Sequence, residues 1–339
     1  MRNFKLTSIL IVFIFVFSNK LQAQIDTTNI AKSKYCIPAL KGIPIGKGAS
    51  FEYQIIPNIS IKTNDKTGNY GDSKNTIKNN SRIEAKLKIP IIKKPYLSIL
   101  GGIKYTFEEY HFENLDENSN PFHKSLEDKA LKSIGANITI VKPTKSNKFW
   151  ILRANADFNG DYSGNNSGSL SDYLKFSISP ALGWKVNDNF SYAVGVSYNY
   201  RFGSPLILPV VAINKNFNEK WGIEAILPLF IKLRYIHNSG LSWLNKIEID
   251  GASYKLNNLE PALEQFNNIH LHRSAIQFTS RIEKRLVGWL WVASEVGYHE
   301  NLTYNVTNSN RSKKNIIFEN TLKGALVFNV SLFISPRKK

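Results

Sequence analysis

The sequence predicts an all-β protein, a closed up-and-down antiparallel transmembrane β-barrel of 14 strands. Three observations lead to this fold: apolar and polar residues alternate along most of the chain, the connections alternate between short and long, and all six tryptophans lie beside short connections. The composition agrees, because 42% hydrophobic and 12% aromatic residues are too many for a disordered chain. A single cysteine excludes a disulfide framework and a cysteine-based metal cluster.

The first 23 residues predict a secretory signal peptide. Arg2 and Lys5 form its positive start, an apolar run covers 6–17, and Ala23 precedes the expected cleavage site. This run is shorter than the roughly 20 apolar residues that a spanning helix needs. Residues 24–47 then form an N-terminal segment that either plugs the barrel or lies in the periplasm, and 48–335 form the barrel.

Strands are predicted where the side chains alternate with a period of two, as expected for segments with two unlike faces. In 190–202, for example, Tyr192, Val194 and Val196 oppose Ser191 and Ser197. The other segments with clear alternation are 79–89, 149–158, 173–184 and 271–284. Further strands are predicted at 49–61, 96–110, 131–142, 205–214, 221–228, 229–237, 242–254, 289–299 and 317–333.

The lengths of the connections indicate the class of barrel. The short set is 90–95, 143–148, 185–189, 215–220, 238–240 and 285–288, and the mostly long, polar set is 62–78, 111–130, 159–172, 255–270 and 300–315. Outer-membrane barrels have short periplasmic turns and longer outer loops. In a β-sandwich, no structural constraint makes short and long loops alternate in this way.

Two connections depart from this alternation and affect the strand count. Gly203-Ser204 is short where a long loop is due, and Pro228 must form a tight turn. If 221–237 were one strand, the barrel would have 13 strands. Single-chain bacterial barrels have even numbers, so we predict a hairpin and 14 strands, with 12 as the alternative.

The tryptophans predict a girdle at one membrane interface. Trp and Tyr favour the headgroup layer because their rings are apolar while the N–H or O–H groups need water. The six candidates are Trp150, Trp184, Trp221, Trp243, Trp289 and Trp291.

Charged residues within the strands are expected to face the interior. On the lipid face each would cost about 2–4 kcal/mol at mid-depth. The predicted pore-lining residues are Arg82, Glu84, Lys86, Lys104, Glu108, Arg153, Asp157, Lys175, Arg201, Lys232, Arg234, Arg273, Arg281 and Glu283, and Lys246, Glu248 and Asp250 share their orientation. Two interpretations stay open: a basic, water-filled pore that favours anions, or opposite charges that pair and stiffen a plugged barrel.

No motif predicts a catalytic or cofactor site. The chain has no glycine-rich phosphate loop and no helix-borne histidine pair, so we predict that it is not an enzyme and needs no cofactor. His270 and His272 could share one face of a strand, but no third ligand is specified, and no metal site is predicted. The net charge is +18, but the lysines are scattered, which argues against nucleic acid as a partner.

The chain also resembles a Bacteroidota family of outer-membrane β-barrel proteins classified as a domain of unknown function. The resemblance rests on the cleavage site at Ala23-Gln24 and on four short motifs that lie mainly at turns and strand ends. These motifs are GASFEYQIIP at 48–57, LKIPIIKKP at 87–95, Gly203-Ser204-Pro205, and Leu227-Pro228 followed by Leu233-Arg234-Tyr235. The likeness covers nearly all of 45–334. It implies an outer-membrane barrel and supplies no active site.

The predicted function is a passive pore or transporter for small solutes in the outer membrane. The polar inner face of the barrel is the reason for this hypothesis. The expected partners are outer-membrane lipid, the outer-membrane assembly machinery and small solutes. The alternatives are a structural or adhesive surface protein that works through loops 111–130 and 300–315, and a barrel-embedded lipid hydrolase.

Overall fold

The computed structural model describes residues 35–36, 38–40, 46–127, 129–162, 170–257 and 260–335. The predicted signal peptide lies outside the described residues, as does most of the segment 24–47. The described part of the chain is dominated by β-strands. Its helices are α1 (Pro121–Glu127), α2 (Leu170–Tyr173) and a 3-10 turn at Pro261–Leu263, and none of these described helices is long and apolar enough to cross a membrane.

The strands form one sheet in which each strand pairs antiparallel with the next, from β1 to β13. Their bounds are β1 (Ala49–Asp65), β2 (Ser73–Lys94), β3 (Leu97–Phe112), β4 (Leu131–Pro143), β5 (Lys148–Gly160), β6 (Leu174–Asn187), β7 (Phe190–Asn199), β8 (Leu206–Asn216), β9 (Trp221–Leu227), β10 (Phe230–Asn238), β11 (Leu241–Lys255), β12 (His270–Val287), β13 (Leu290–Thr307), β14 (Ile316–Leu322) and β15 (Ala325–Ile334).

The last two segments close the sheet into a barrel. Both β14 and β15 lie between β13 and β1, and only Lys323 and Gly324 separate them. Ala49 of β1 pairs with Ile334 of β15, and Ile61 pairs with Leu322 of β14. The two segments therefore share one barrel position. The result is a closed antiparallel barrel of 14 strands, which confirms the predicted fold and strand count.

The hairpin predicted at Pro228 is also present. β9 ends at Leu227, β10 begins at Phe230, and Phe230 pairs with Ile226 across the turn. Proline cannot donate a hydrogen bond to a neighbouring strand, so it marks the turn and not a continuing strand. This hairpin keeps the strand number even and places residue 48 at the same end of the barrel as residue 335.

The two ends of the barrel differ in their connections. At one end the strands are joined by short turns such as 95–96, 188–189 and 239–240. At the other end most connections are longer, and those with helical residues in the described part of the chain are 113–130, 161–173 and 256–269. We call these the short-turn end and the long-loop end.

Side chains alternate between the two faces of the sheet, as β15 shows. Leu326, Phe328 and Val330 are half-exposed, whereas Asn329 and Ser331, which alternate with them, are buried. Successive residues of a strand point to opposite faces. Because apolar side chains occupy the outer face and polar ones the inner face, the sheet presents a hydrocarbon-compatible surface to its surroundings.

Helix α1 fills the barrel at the long-loop end. Asn120 caps the helix, because its side-chain oxygen accepts a hydrogen bond from the Phe122 N–H at 2.9 Å, and Pro121 suits the first helical position. Phe122 and Leu126, one turn apart, are fully buried. They join a hydrophobic cluster that includes Tyr110, Leu131, Tyr254, Leu263, Leu271, Tyr304, Val306 and Phe318. We call this cluster the cap.

Two further contacts narrow the lumen of the barrel at the long-loop end. β5 and β11, which are not neighbours in the barrel wall, meet in a parallel bridge between Gly160 and Lys255. The β7–β8 connection folds inward, and the Gly203 carbonyl lies 2.6 Å from Nδ1 of His272 on β12. Gly251 permits this close approach, since a Cβ atom there would lie 2.2 Å from the Arg201 carbonyl.

Candidate functional site

The interior of the barrel contains a cavity of about 1150 Å³. Asn238 at the end of β10 lines it together with Ser239 and Gly288, which belong to short turns, so the cavity reaches the short-turn end. At this mouth Lys47, from the segment before β1, forms an ion pair with Glu283 at 2.6 Å. The cavity ends at buried ion pairs below the cap, and it is therefore a blind vestibule in this structure.

Most of the residues predicted to line a pore lie on the wall of this vestibule. They are Arg82, Glu84, Lys86, Lys104, Arg153, Asp157, Arg201, Lys232, Arg234, Arg281 and Glu283. They come from five strands, which are β2, β3, β5, β10 and β12, and from the inward β7–β8 connection. The period-two pattern explains their common orientation, because the residues on either side of each point outward.

Three predicted residues lie elsewhere. Glu108 and Arg273 are buried against each other, with Oε2 and Nη2 2.8 Å apart. Lys175 is buried near the long-loop end, where its amine donates to the Asp172 carbonyl at 3.2 Å. All three face inward, but at their level the barrel is filled by side chains and loops.

Several residues of the vestibule wall were missing from the predicted set. They are Lys47, Glu52, Lys88, Arg285 and Glu295, together with Lys246, Glu248 and Asp250, whose inward orientation the alternation did indicate. The sequence does contain a signal that Lys88 faces inward, because it is two residues from Lys86 on β2. Glu295 could have been identified in the same way, because it lies among alternating residues of β13. Lys47 precedes the first strand, so no alternation could have indicated it.

Opposite charges on the wall are largely paired. Arg281 contacts Glu283 at 2.9 Å, Glu295 at 3.1 Å and Glu52 at 3.3 Å. On β9 and β10, Glu224 contacts Lys232 at 2.6 Å and also Arg234. These pairs join neighbouring or nearby strands, and they hold the charged side chains against the wall.

A chain of ion pairs, buried at Glu108 and Arg273 and partly buried at Arg82 and Asp250, forms the floor of the vestibule. Arg82 contacts Asp250 at 2.8 Å, Asp250 contacts Arg273 at 3.5 Å, and Arg273 contacts Glu108 at 2.8 Å. The Tyr110 hydroxyl donates to Glu108 at 2.6 Å. The chain joins β2, β3, β11 and β12 across the lumen, with the cap directly above it. Burying such charges is tolerable only because each has a partner.

The tryptophans all lie at the short-turn end. Trp150, Trp243 and Trp289 are strongly exposed. Trp184 stacks on Tyr192 with ring centres 5.2 Å apart, and Trp221 lies 4.7 Å from Tyr235.

Trp291 differs from the predicted girdle in its orientation. Its ring stacks on buried Phe333 at 5.9 Å, and both side chains line the vestibule. The reason is parity: Trp291 shares the inner face of β13 with Glu295, whereas Trp289 lies in the turn before the strand.

The two histidines at the start of β12 do share one face. The rings of His270 and His272 stack with centres 5.9 Å apart. His272 contacts the Gly203 and Ser309 carbonyls at 2.6 and 3.0 Å, so it fastens two loops at the long-loop end. Within the described residues, no group of three or more His, Cys, Asp or Glu side chains could hold a metal ion.

Comparison with known proteins gives a family and several structural likenesses. The family model described as a domain of unknown function (DUF6268) matches residues 19–334. A Pseudomonas aeruginosa FadL homologue is 11% identical with a TM-score of 0.40, over 85% of this chain and 90% of that chain. An outer membrane channel from Pseudomonas putida F1 is 10% identical with a TM-score of 0.38, over 87% and 97%. The Pseudomonas putida toluene transporter TodX is 9% identical with a TM-score of 0.35, over 85% and 90%. No curated protein sequence matches the chain.

Proposed function

We propose that this chain, which belongs to the DUF6268 family, lets small solutes cross the outer membrane through its barrel. The observation that carries the proposal is the charged vestibule of about 1150 Å³ inside a closed barrel. A cavity of this size exceeds the range of about 300–1000 Å³ that small-molecule sites usually occupy. A solute can therefore enter together with part of its hydration water.

The cap is the barrier to passage in this proposal. Phe122, Leu126 and Phe318 are fully buried above the ion-paired floor. A solute that enters from the short-turn end must displace them to reach the long-loop end. Residues 113–130 connect β3 to β4, so the cap helix can move while both strands keep their pairing. Passage is thus gated by the loop that carries α1.

The same proposal includes the location and the macromolecular partners. The outer face carries half-exposed apolar side chains such as Ile207, Phe278 and Val330, which suit outer-membrane lipid. Short turns in such barrels face the periplasm, and we infer that the vestibule opens there. Export by a signal peptide at 1–23, insertion by the outer-membrane assembly machinery and a Bacteroidota origin complete the proposal.

Solute flux in liposomes tests the function. The purified protein is reconstituted, and uptake of a small sugar and a small carboxylate is followed. Folding is checked by gel migration of unheated against boiled samples. We expect flux above that of protein-free liposomes. A variant in which 114–129 is replaced by a glycine-serine linker should increase the flux, because α1 no longer fills the lumen.

The packed cap also favours a second candidate, a barrel that does not conduct and serves as a structural or adhesive surface protein. The same experiment separates the two. If folded wild-type protein gives no more flux than protein-free liposomes, and the linker variant also gives none, the pore proposal is wrong. The rows of ion pairs would then serve to stiffen the wall.

A further inference from the structure

The cationic side chains of the vestibule fall into two groups. Of the residues that line it in the described part of the chain, twelve are basic and nine are acidic. Most of the basic ones have a carboxylate within 4 Å, as Arg82, Lys232 and Arg281 do. Among the described residues, Lys88, Arg153, Arg201 and Arg285 form no such ion pair. The positive surplus of the vestibule is thus concentrated in a few side chains.

Exposure also differs among these cations, although unpaired Arg285 is only half-exposed. The paired arginines Arg234 and Arg281 are buried. Arg153 and Arg201 are exposed, and so is Lys88, although all three face the vestibule. The guanidinium groups of Arg234 and Arg281 are therefore held in the wall, whereas those of Arg153 and Arg201 extend into the open space. Charges in that position are available to a ligand.

Three of the unpaired cations come from the part of the barrel between β2 and β8. Lys88 lies on β2, Arg153 on β5, and Arg201 on the connection that folds inward after β7. Arg153 is within electrostatic range of both Lys88 and Arg201. Arg285, in contrast, lies at the mouth on β12, where it contacts Ser239 at 3.3 Å and the Trp291 ring at 6.0 Å.

The barrel wall between Lys88 and Arg153 carries small or polar residues. Gly102 of β3 pairs with Lys88, and Asn137 of β4 pairs with Gly102. Thr139 of β4 pairs with Arg153. A Cβ atom on Gly102 would lie 2.9 Å from the Asn137 side chain. The Asn137 side chain thus packs over Gly102, and its amide lines the vestibule, where it can donate to an oxygen of a bound ligand.

Nearby carboxylates do not neutralise these cations. Asp250 lies within electrostatic range of Arg201, but Arg82 and Arg273 already bind it. In the described part of the chain, the Arg201 side chain donates to the Ile249 carbonyl at 3.1 Å and to no carboxylate. Arginine is suited to binding an anionic ligand, because its planar guanidinium binds carboxylate and phosphate groups through two parallel hydrogen bonds.

The structure assigns Lys88, Arg153 and Arg201 to a binding site for a small soluble organic anion that carries carboxylate or phosphate groups. The site deepens the proposed function by naming the class of solute that enters the vestibule. It does not require passage, because an anion can bind in a blind vestibule.

Calorimetric titration of the folded, detergent-solubilised protein tests the site. Citrate and inorganic phosphate are the probes, and sorbitol is the uncharged control. The salt concentration is kept near ~10 mM, where the Debye length is about 30 Å. We expect citrate and phosphate to bind and sorbitol not to bind. Arg153→Gln should weaken citrate binding about tenfold or more, as the loss of a charge-assisted hydrogen bond implies.

Lys246→Gln is the matched control. Lys246 also lines the vestibule, but Glu248 pairs with it, and the substitution removes the same single charge. We expect it to change citrate affinity by less than about twofold, the size of a weak exposed ion-pair effect. Equal weakening by both variants would mean that only the overall charge of the lumen matters, and the site would be wrong.

Two further outcomes separate this proposal from others. If neither citrate nor phosphate binds to folded protein, the site is overturned, whatever the liposome experiment shows. If only a short-chain phosphatidic acid binds, the cations serve a lipid headgroup and the assignment to a soluble anion is wrong. Anion binding without flux through either the wild type or the linker variant in liposomes would leave the site standing and refute the proposed passage.

Discussion

His123 is a buried histidine whose protonation state affects the cap. It lies in α1, its side chain is 1% exposed, and its ring stacks on Phe112 with centres 4.9 Å apart. Its Nε2–H donates to the Thr63 hydroxyl at 2.8 Å, since that hydroxyl itself donates to Asn320 at 2.6 Å. Burial lowers the pKa of His123 from 6.5 to about 4. The folded cap therefore holds the neutral imidazole.

This pKa shift predicts a loss of cap stability in acid. The stability is fully present above pH 6.5 and falls as the pH decreases toward 4, because the unfolded loop takes up a proton that the folded cap excludes. The full effect is about 3 kcal/mol, from about 1.4 kcal/mol for each pKa unit. Hydrogen exchange of residues 113–127 at pH 7.5 and pH 4.5 measures it.

His123→Gln is the comparison variant, because glutamine can donate to Thr63 without titrating. Its exchange should change less between the two pH values than that of the wild type. If both proteins change equally, other groups cause the acid effect and His123 contributes nothing.

At the residue scale, the sequence predicts which way a side chain points better than what it touches. Arg82, Arg153 and Arg281 were predicted to face inward from alternation alone, and they line the vestibule. The contact between Arg273 and Glu108 could not be predicted, since their strands meet only across the closed lumen. The orientation of Trp291 was not predicted. Its position near a turn was given more weight than its place on the same face of β13 as Glu295.

At the element scale, the connection between β3 and β4 departs most from the sequence expectation. The region 111–130 was predicted as a polar outer loop. Its signals for a buried helix were Asn120-Pro121, typical of a helix start, and the one-turn spacing of Phe122 and Leu126. Their place inside the barrel depends on Ile61, Tyr304 and Phe318, which are distant in sequence.

Phe122→Ala is expected to loosen the cap without opening the barrel. Phe122 is fully buried between rings of Tyr304 and Phe318, and truncation of such a residue costs about 3–5 kcal/mol. Hydrogen exchange of 113–127 should become much faster, while unheated protein still migrates as a folded barrel in SDS.

Glu117→Ala in the same loop is the control for this prediction, because Glu117 is exposed. It should leave the exchange of the helix unchanged. Loss of SDS resistance in Phe122→Ala would contradict the view that the cap and the barrel wall are separable.

At the scale of the whole molecule, the two faces of the sheet should respond in opposite ways to a new charge. Val194 lies near the middle of β7 on the outer face and is 44% exposed, whereas Asn155 of β5 lines the vestibule. An arginine on the lipid face at mid-depth costs about 2–4 kcal/mol. Val194→Arg should therefore lower the stability of the barrel in liposomes, measured by urea titration of the folded band, and Asn155→Arg should change it little.

Equal destabilisation by the two substitutions would contradict the assignment of the faces. A larger loss in Asn155→Arg would mean that the vestibule is too tightly filled to accept another cation.

Global features were the most predictable part of this protein. Three signals repeat along the chain: turn-forming residues, alternation of apolar and polar residues, and alternation of short and long connections. Errors in single strands therefore do not accumulate. Even the short hairpin at Pro228 was identified. The cap, the floor and the vestibule were not predictable in the same way. They depend on contacts across the lumen, such as Arg82 with Asp250, and local patterns carry no information about such contacts.

The pairing of Ala49 with Ile334 constrains how this chain can be made. The earliest strand to leave the ribosome has no permanent neighbour on one side until the latest strand has been synthesised. Folding of the seam is therefore post-translational, and a prematurely terminated product that lacks 325–334 would retain two unsatisfied backbone edges. Such a product is a natural target for quality-control proteases. In a chain that includes β15, pairing of β1 with β15 removes these edges and with them the reason for degradation.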